Sequence, residues 1–191
     1  MTAASGVLHK EYHEKEWSKT GGEFQMVQLW VNLPAKNKMD APGYQPILRE
    51  EFGQVILPDN RGIVEVIAGE YKGIKGPAKS FTPIEMYNVR LNRNSTVSLS
   101  LPENYNTGFL VIEGEITISN KTIKTDHFVL FANDGTDIEI KAENDAVILI
   151  LSGEPINEAI FPYGPFVMNS KEEIIQAYTD FDNGLFGYLE D

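Results

Sequence analysis

The sequence predicts an all-β protein: a small antiparallel barrel or sandwich, a hairpin ahead of it and one α-helix behind it. Three observations carry this. Short β-type runs recur about every ten residues between Pro83 and Ser152, separated by turn residues. Helical periodicity is almost absent before Ser170. Two further alternating runs, Gly6–His13 and Gln25–Leu33, flank a polar loop containing Gly21-Gly22.

The front piece, residues 1–46, reads as a hairpin and a connector. His9, Glu11 and His13 alternate with Leu8, Lys10 and Tyr12 and so share one strand face. In the second run Val27, Leu29, Val31 and Leu33 share a face, and Pro34 ends it because proline has no amide hydrogen for a ladder. A two-stranded hairpin is marginal in water. Residues 7–33 are therefore expected to be mobile, or to be buried by docking on the barrel that follows, on another copy or on a protein partner.

In the barrel, Ile63–Ala68 is a strand between the turns Asp59–Gly62 and Lys72–Gly73. Tyr87, Val89 and Leu91 alternate with polar residues, as do Val97, Leu99 and Leu101. Phe109–Ile112, Ile116 and Ile118, His127–Phe131, Ile138 and Ile140, and Ala146–Leu151 complete the set. Leu99, Leu110, Ile112, Val129, Phe131, Ile148 and Ile150 are expected to line the interior, with strand parity the weakest element of that assignment. In the last piece, residues 169–191, Ser170 and Glu173 form a capping-box pattern. Ile174, Tyr178 and Phe181 give a helical stripe, and Asn183-Gly184 stops it.

Composition narrows the function. The 191 residues contain no cysteine, so thiolate metal sites, disulfides and a cysteine nucleophile are excluded. The net charge is −12 with no basic cluster, which argues against direct nucleic-acid binding. No stretch has the apolar length of a membrane span and the N-terminus is not a signal peptide, so a cytoplasmic location is expected.

The wording of particular segments goes further. Gln28-Leu-Trp-Val-Asn-Leu33, Lys38-Met39, Pro42 and Tyr44-Gln45 closely resemble the junction between the two barrels of pirin-family proteins, which are two-domain cupins. Ile67–Glu70 and Gly73-Ile74 resemble the family's entry to the second barrel, and Gly153–Pro155, Gly164–Asn169 and Glu172–Ala177 its closing segment. The resemblance makes residues 47–168 the C-terminal cupin barrel and residues 1–46 the remainder of the N-terminal one.

Members of that family hold one metal, usually iron, through three His and one Glu in the first barrel. The pattern Gly6-Val-Leu-His9-Lys-Glu11 matches the strand that carries one His and the Glu, so the resemblance implies that His9 and Glu11 are metal ligands. The family's early His-x-His pair has no counterpart here; the histidines are His9, His13 and His127. The expectation is a pirin without the front of its first barrel, whether by a mis-called start, a fragment or a true truncation. Residues i and i+2 on a strand lie about 7 Å apart at Cα, from which both side chains can reach one ion. His13 extends the same face as an accessory group, a replacement ligand or a solvated strand end. His127 reads as a hydrogen-bonded structural histidine, and the second barrel, with no ligand pattern, as metal-free.

Three functions follow from the resemblance. One is a metal-dependent dioxygenase of the quercetin 2,3-dioxygenase type acting on a flavonol-like small molecule. It would use Fe(II) or another divalent metal, with Glu11 able to double as base, and would be impaired in this chain. The second is a regulatory protein acting through partners, with a redox-sensitive metal site. The third is a remnant without activity.

Overall fold

In the computed structural model, which describes residues 1–189, the chain divides into two compact units: Met1–Tyr44 with Asn157–Asp191, and Gln45–Ile156. The expected barrel is the second unit, while the residues from Asn157 onward group with the front of the chain.

The first unit opens with irregular chain, followed by helix α1 (Lys15–Thr20). The runs Gly6–His13 and Gln25–Leu33 carry no ladder, so the expected hairpin is not formed, and the polar loop between them is partly helical. Local chemistry explains the helix. Glu14 caps it by accepting from the amides of Glu16 and Trp17, both at 2.8 Å. Lys19 pairs with Glu16 at 2.7 Å, and Gly21 at φ 68° stops it. The flanking runs alternate as strands should, but alternation supplies only faces; a ladder also needs a partner in register.

The C-terminal part of this unit holds a hairpin, Phe161–Tyr163 paired with Phe166–Met168, then helix α2 (Lys171–Asp182). The helix begins as its sequence predicts: Ser170 Oγ accepts from the Glu173 amide at 3.2 Å. The reciprocal bond runs to Glu173 from the amide of Asn169, at 2.8 Å, one residue earlier than a standard capping box. Ile174 is the helix's buried anchor, and Tyr178 packs edge-on against Phe166 with ring centroids 5.0 Å apart. The front of the chain is stitched to this segment: the Leu8 amide donates to Phe186 O, and the ring of Phe186 lies where a Cβ on Gly6 would be.

The second unit contains β1 (Gly53–Leu57), β2 (Gly62–Ala68), β3 (Glu70–Tyr71), β4 (Ile74–Lys75), β5 (Ile84–Leu91) and β6 (Thr96–Ser100). It continues with β7 (Asn106–Glu113), β8 (Glu115–Ile118), β9 (Lys121–Lys124), β10 (Phe128–Leu130), β11 (Asp137–Ala142) and β12 (Ala146–Gly153). Six of these form one sheet in the order β1-β2-β5-β12-β7-β10, and four form another in the order β6-β11-β8-β9. Every ladder in the two sheets is antiparallel. Gly114, at φ 80°, passes the chain from the first sheet to the second; a Cβ there would meet Asp145 O at 2.2 Å.

The core lies between the sheets and includes Tyr87, Val89, Leu99, Ile116, Ile140, Ile148 and Ile150. Val129 and Phe131 pack against it, as expected. On β7 the expected parity is reversed. Phe109 and Val111 are fully buried in the core, whereas Leu110 and Ile112 are only half-buried on the opposite face. Pairing decides this: Ile148 lies opposite Val111, Ile150 opposite Phe109, and Val129 opposite Phe109. Directly opposed residues share a face, so the burial of Ile148 and Ile150 forces Phe109 and Val111 inward. An unbroken run of four apolar residues carries no parity of its own.

Candidate metal centre

His9 and Glu11 come from the irregular stretch before α1. Their nearest approach is Nδ1 to Oε1 at 4.0 Å, and the side chains are 45% and 60% exposed, so an ion in solvent can reach both. Two donors that each sit about 2.0–2.2 Å from one ion can be at most about 4.4 Å apart. The observed separation lies inside that limit, and an imidazole with a carboxylate is a donor set suited to first-row divalent metals. As placed, the pair stands wider than the roughly 3.0–3.5 Å between neighbouring donors of an octahedral or tetrahedral site, so a shared ion would need a small rotation of these exposed side chains.

Gln28 supports the pair. Its side-chain amide donates to Glu11 Oε1 at 3.3 Å, restraining the carboxylate from outside. The sequence reading missed this role, although Gln28 opens one of the segments that carried the resemblance.

His13 is placed differently. Its ring packs against Trp17 and Phe24, with centroids 4.8 and 4.7 Å away and the Phe24 contact edge-on. Trp17 and Phe24 also touch, so the three rings form one cluster. Among the described residues no group of three or more His, Cys, Asp or Glu side chains is arranged to hold an ion. His127, in the second unit, is exposed and its Nδ1 lies 3.0 Å from Thr125 O.

A second polar cluster in the first unit centres on Lys38. This side chain is almost wholly buried and donates to Asn32 Oδ1 at 2.7 Å and to Val167 O at 2.8 Å. Burial pulls its pKa below the usual lysine value, while the nearby carboxylates of Glu158 and Glu173 oppose that shift. Glu158 in turn accepts from the Ala35 amide at 2.6 Å and from the Asn169 side chain at 3.2 Å. Asn32, Lys38 and Asn169 belong to the segments that carried the resemblance, and their shared role is to tie the connector to the closing segment.

Among the described residues no helix is long and apolar enough to cross a membrane.

Comparison with known proteins places these features. Residues 86–187, just over half of the chain, match the family model of the pirin C-terminal cupin domain. A Pseudomonas aeruginosa protein with the provisional name quercetin 2,3-dioxygenase is 44% identical over 97% of this chain and 65% of its own length. A tomato (Solanum lycopersicum) pirin-like protein is 33% identical over 98% of this chain and 64% of its own. The crystal structure of a quercetin 2,3-dioxygenase from Acinetobacter baumannii superposes with a TM-score of 0.94 at 38% identity, covering 98% of this chain and 66% of that one. The chain thus spans about two-thirds of the length of these relatives.

Proposed function

The chain belongs to the pirin family, and from that membership we propose that it carries part of a site for metal-dependent dioxygenation of the quercetin 2,3-dioxygenase type, with His9 and Glu11 as two of the metal ligands and the activity impaired in this chain. The observation supporting this reading is the 4.0 Å approach of an imidazole nitrogen and a carboxylate oxygen, both open to solvent. The reaction is the one for which two of the relatives are named.

When bound, Fe(II) or a similar divalent ion supplies Lewis-acid polarisation of the substrate oxygens and electrons for dioxygen chemistry. The protein's part is to hold and to move a proton. His9 offers Nδ1 as a neutral donor. Glu11 Oε1 carries the bond from Gln28, which leaves Oε2 to accept a phenolic proton from a flavonol-like substrate.

Two protein donors leave most positions around a divalent ion to water. On this reading the 191-residue chain holds iron weakly and does not open quercetin at a measurable rate. The exposed apolar run containing Phe24, Met26, Trp30 and Val31 favours a second reading, a role exercised through a protein partner.

The experiment is a metal titration of the purified chain with Fe(II) under anaerobic conditions, with metal content measured after dialysis. Weak binding that falls at least tenfold in both His9→Ala and Glu11→Ala is expected. Binding untouched by either substitution overturns the ligand assignment. Stoichiometric iron after dialysis, or turnover of quercetin by the chain alone, overturns the weak-binding part.

A further inference from the structure

The four-stranded sheet is not closed along its whole length. β11 pairs with β6 from Asp137↔Ser100 to Lys141↔Thr96, and β8 pairs with β9 from Glu115↔Lys124 to Ile118↔Lys121. Between β8 and β11 the ladder holds only Ala142↔Ile116 and Lys141↔Thr117. The next pairs in that register, Ile118 with Ile140 and Ser119 with Glu139, are not formed. The strands splay there, and a cleft of about 560 Å³ opens beside them. That volume is in the range of small-molecule sites.

The cleft has two chemically distinct parts. Its inner wall includes Leu101, Thr107, Ile118 and Phe131. Its outer wall carries the carboxylates of Glu103, Asp134, Asp137 and Glu139. Lys141 also lines it, but its ammonium is engaged by Glu143 at 3.1 and 3.3 Å.

Thr107 supplies the deciding observation. It is more than nine-tenths buried, and its hydroxyl bonds to the buried hydroxyl of Ser152 at 2.8 Å. Two hydroxyls carry two protons, and the bond between them uses one. With Ser152 donating, the Thr107 proton remains for a partner on the cleft side. With Thr107 donating, its oxygen is open to accept there. The Thr107 oxygen keeps a lone pair to accept with in either arrangement, so it can take a proton from a ligand hydroxyl in both and give one back in the first, whereas a carboxylate, which can only accept, is served in the first alone.

We propose that this cleft in the second barrel binds a neutral, polyhydroxylated small molecule of the sugar or polyol class. The carboxylates along the outer wall accept ligand hydroxyl protons and repel anions. The C–H face of the ligand packs on Phe131 and Leu101, and an inner hydroxyl reaches Thr107. The site shares no residue with the His9–Glu11 pair and needs no metal.

The test is an amide-resolved NMR titration of the metal-free 191-residue chain with myo-inositol, maltose, putrescine and citrate as probes. Saturable shifts at Thr107, Phe131 and Ile138 with a neutral polyol are expected, with weaker response to putrescine and none to citrate. Thr107→Val should weaken that binding about tenfold, the value of one buried hydrogen bond to ligand, and Thr107→Ser should retain it. Because Thr107→Val leaves Ser152 without its partner, Glu139→Gln, at an exposed position of β11, serves as the second variant; it should weaken binding severalfold with an unchanged melting temperature. Tighter saturation by putrescine or citrate, or saturation by no probe, overturns the proposal. None of these results bears on the metal titration, so the two readings fail separately.

Discussion

Arg49 Nε donates to Glu65 Oε1 at 2.8 Å, joining an exposed guanidinium to a carboxylate that is 1% exposed on the face of β2 turned away from the core. Asn88 also donates to Glu65, and Arg90 stands 3.4 Å away. Burial alone would raise the Glu65 pKa, but the hydrogen bonds from Arg49 and Asn88 and the two positive charges hold it below the usual carboxylate range. Removing Arg49 leaves the carboxylate buried with fewer partners. Arg49→Ala should therefore destabilise the barrel by about 1–3 kcal/mol in denaturant unfolding. Arg49 is largely exposed, which places the effect below that of a fully buried pair.

The same carboxylate sets an acid response. Its folded pKa lies below its unfolded value, so its stabilisation is present above the ordinary glutamate pKa. It is lost as pH falls through the folded value, where the folded state must take up the proton. Urea midpoints measured from neutral pH down into that range should fall less steeply in Glu65→Gln than in the parent. Parallel curves would contradict the assignment.

The parity of β7 gives a sharp pair of substitutions. Phe109 is fully buried and packs at a tilt against Phe131, with ring centroids 4.6 Å apart. Phe109→Ala should cost about 3–5 kcal/mol. Leu110→Ala, on the other face, should cost less than half as much. Equal losses in thermal unfolding would mean that the strand is not oriented as described.

Lys38 should be intolerant of truncation. Lys38→Ala leaves Asn32 Oδ1, Val167 O and the neighbouring carboxylates of Glu158 and Glu173 without their cation. A loss of about 2–4 kcal/mol is expected, with faster amide exchange in the connector around Asn32 and at Val167. Lys38→Met should be milder than Ala, because it restores the packed volume but not the hydrogen bonds.

The front segment exposes Phe24, Met26, Trp30 and Val31 together. Sedimentation velocity across a concentration series should show self-association that Trp30→Glu reduces. A monomer at all concentrations would remove the support for a docking role.

The sequence by itself determined most of the local structure. The antiparallel barrel strands, the helix starting at Ser170 and its stop at Asn183-Gly184 follow from alternation, capping and turn chemistry, which act over a few neighbouring residues. His9 and Glu11 are singled out by the resemblance of Gly6–Glu11 to a family strand, and their spacing by itself shows only that two such side chains are near one another. Tertiary structure decided what depends on a second strand or a distant group. Phe109 and Val111 became core only through their register with Ile148 and Ile150. The runs around His9 and Trp30 stayed irregular because alternation does not provide a ladder partner. Lys38 became a buried tie only where Val167 and Glu158 arrive from the other end of the chain, and the cleft opened only where β8 and β11 part. Such contacts join residues far apart in sequence, and no local pattern encodes them.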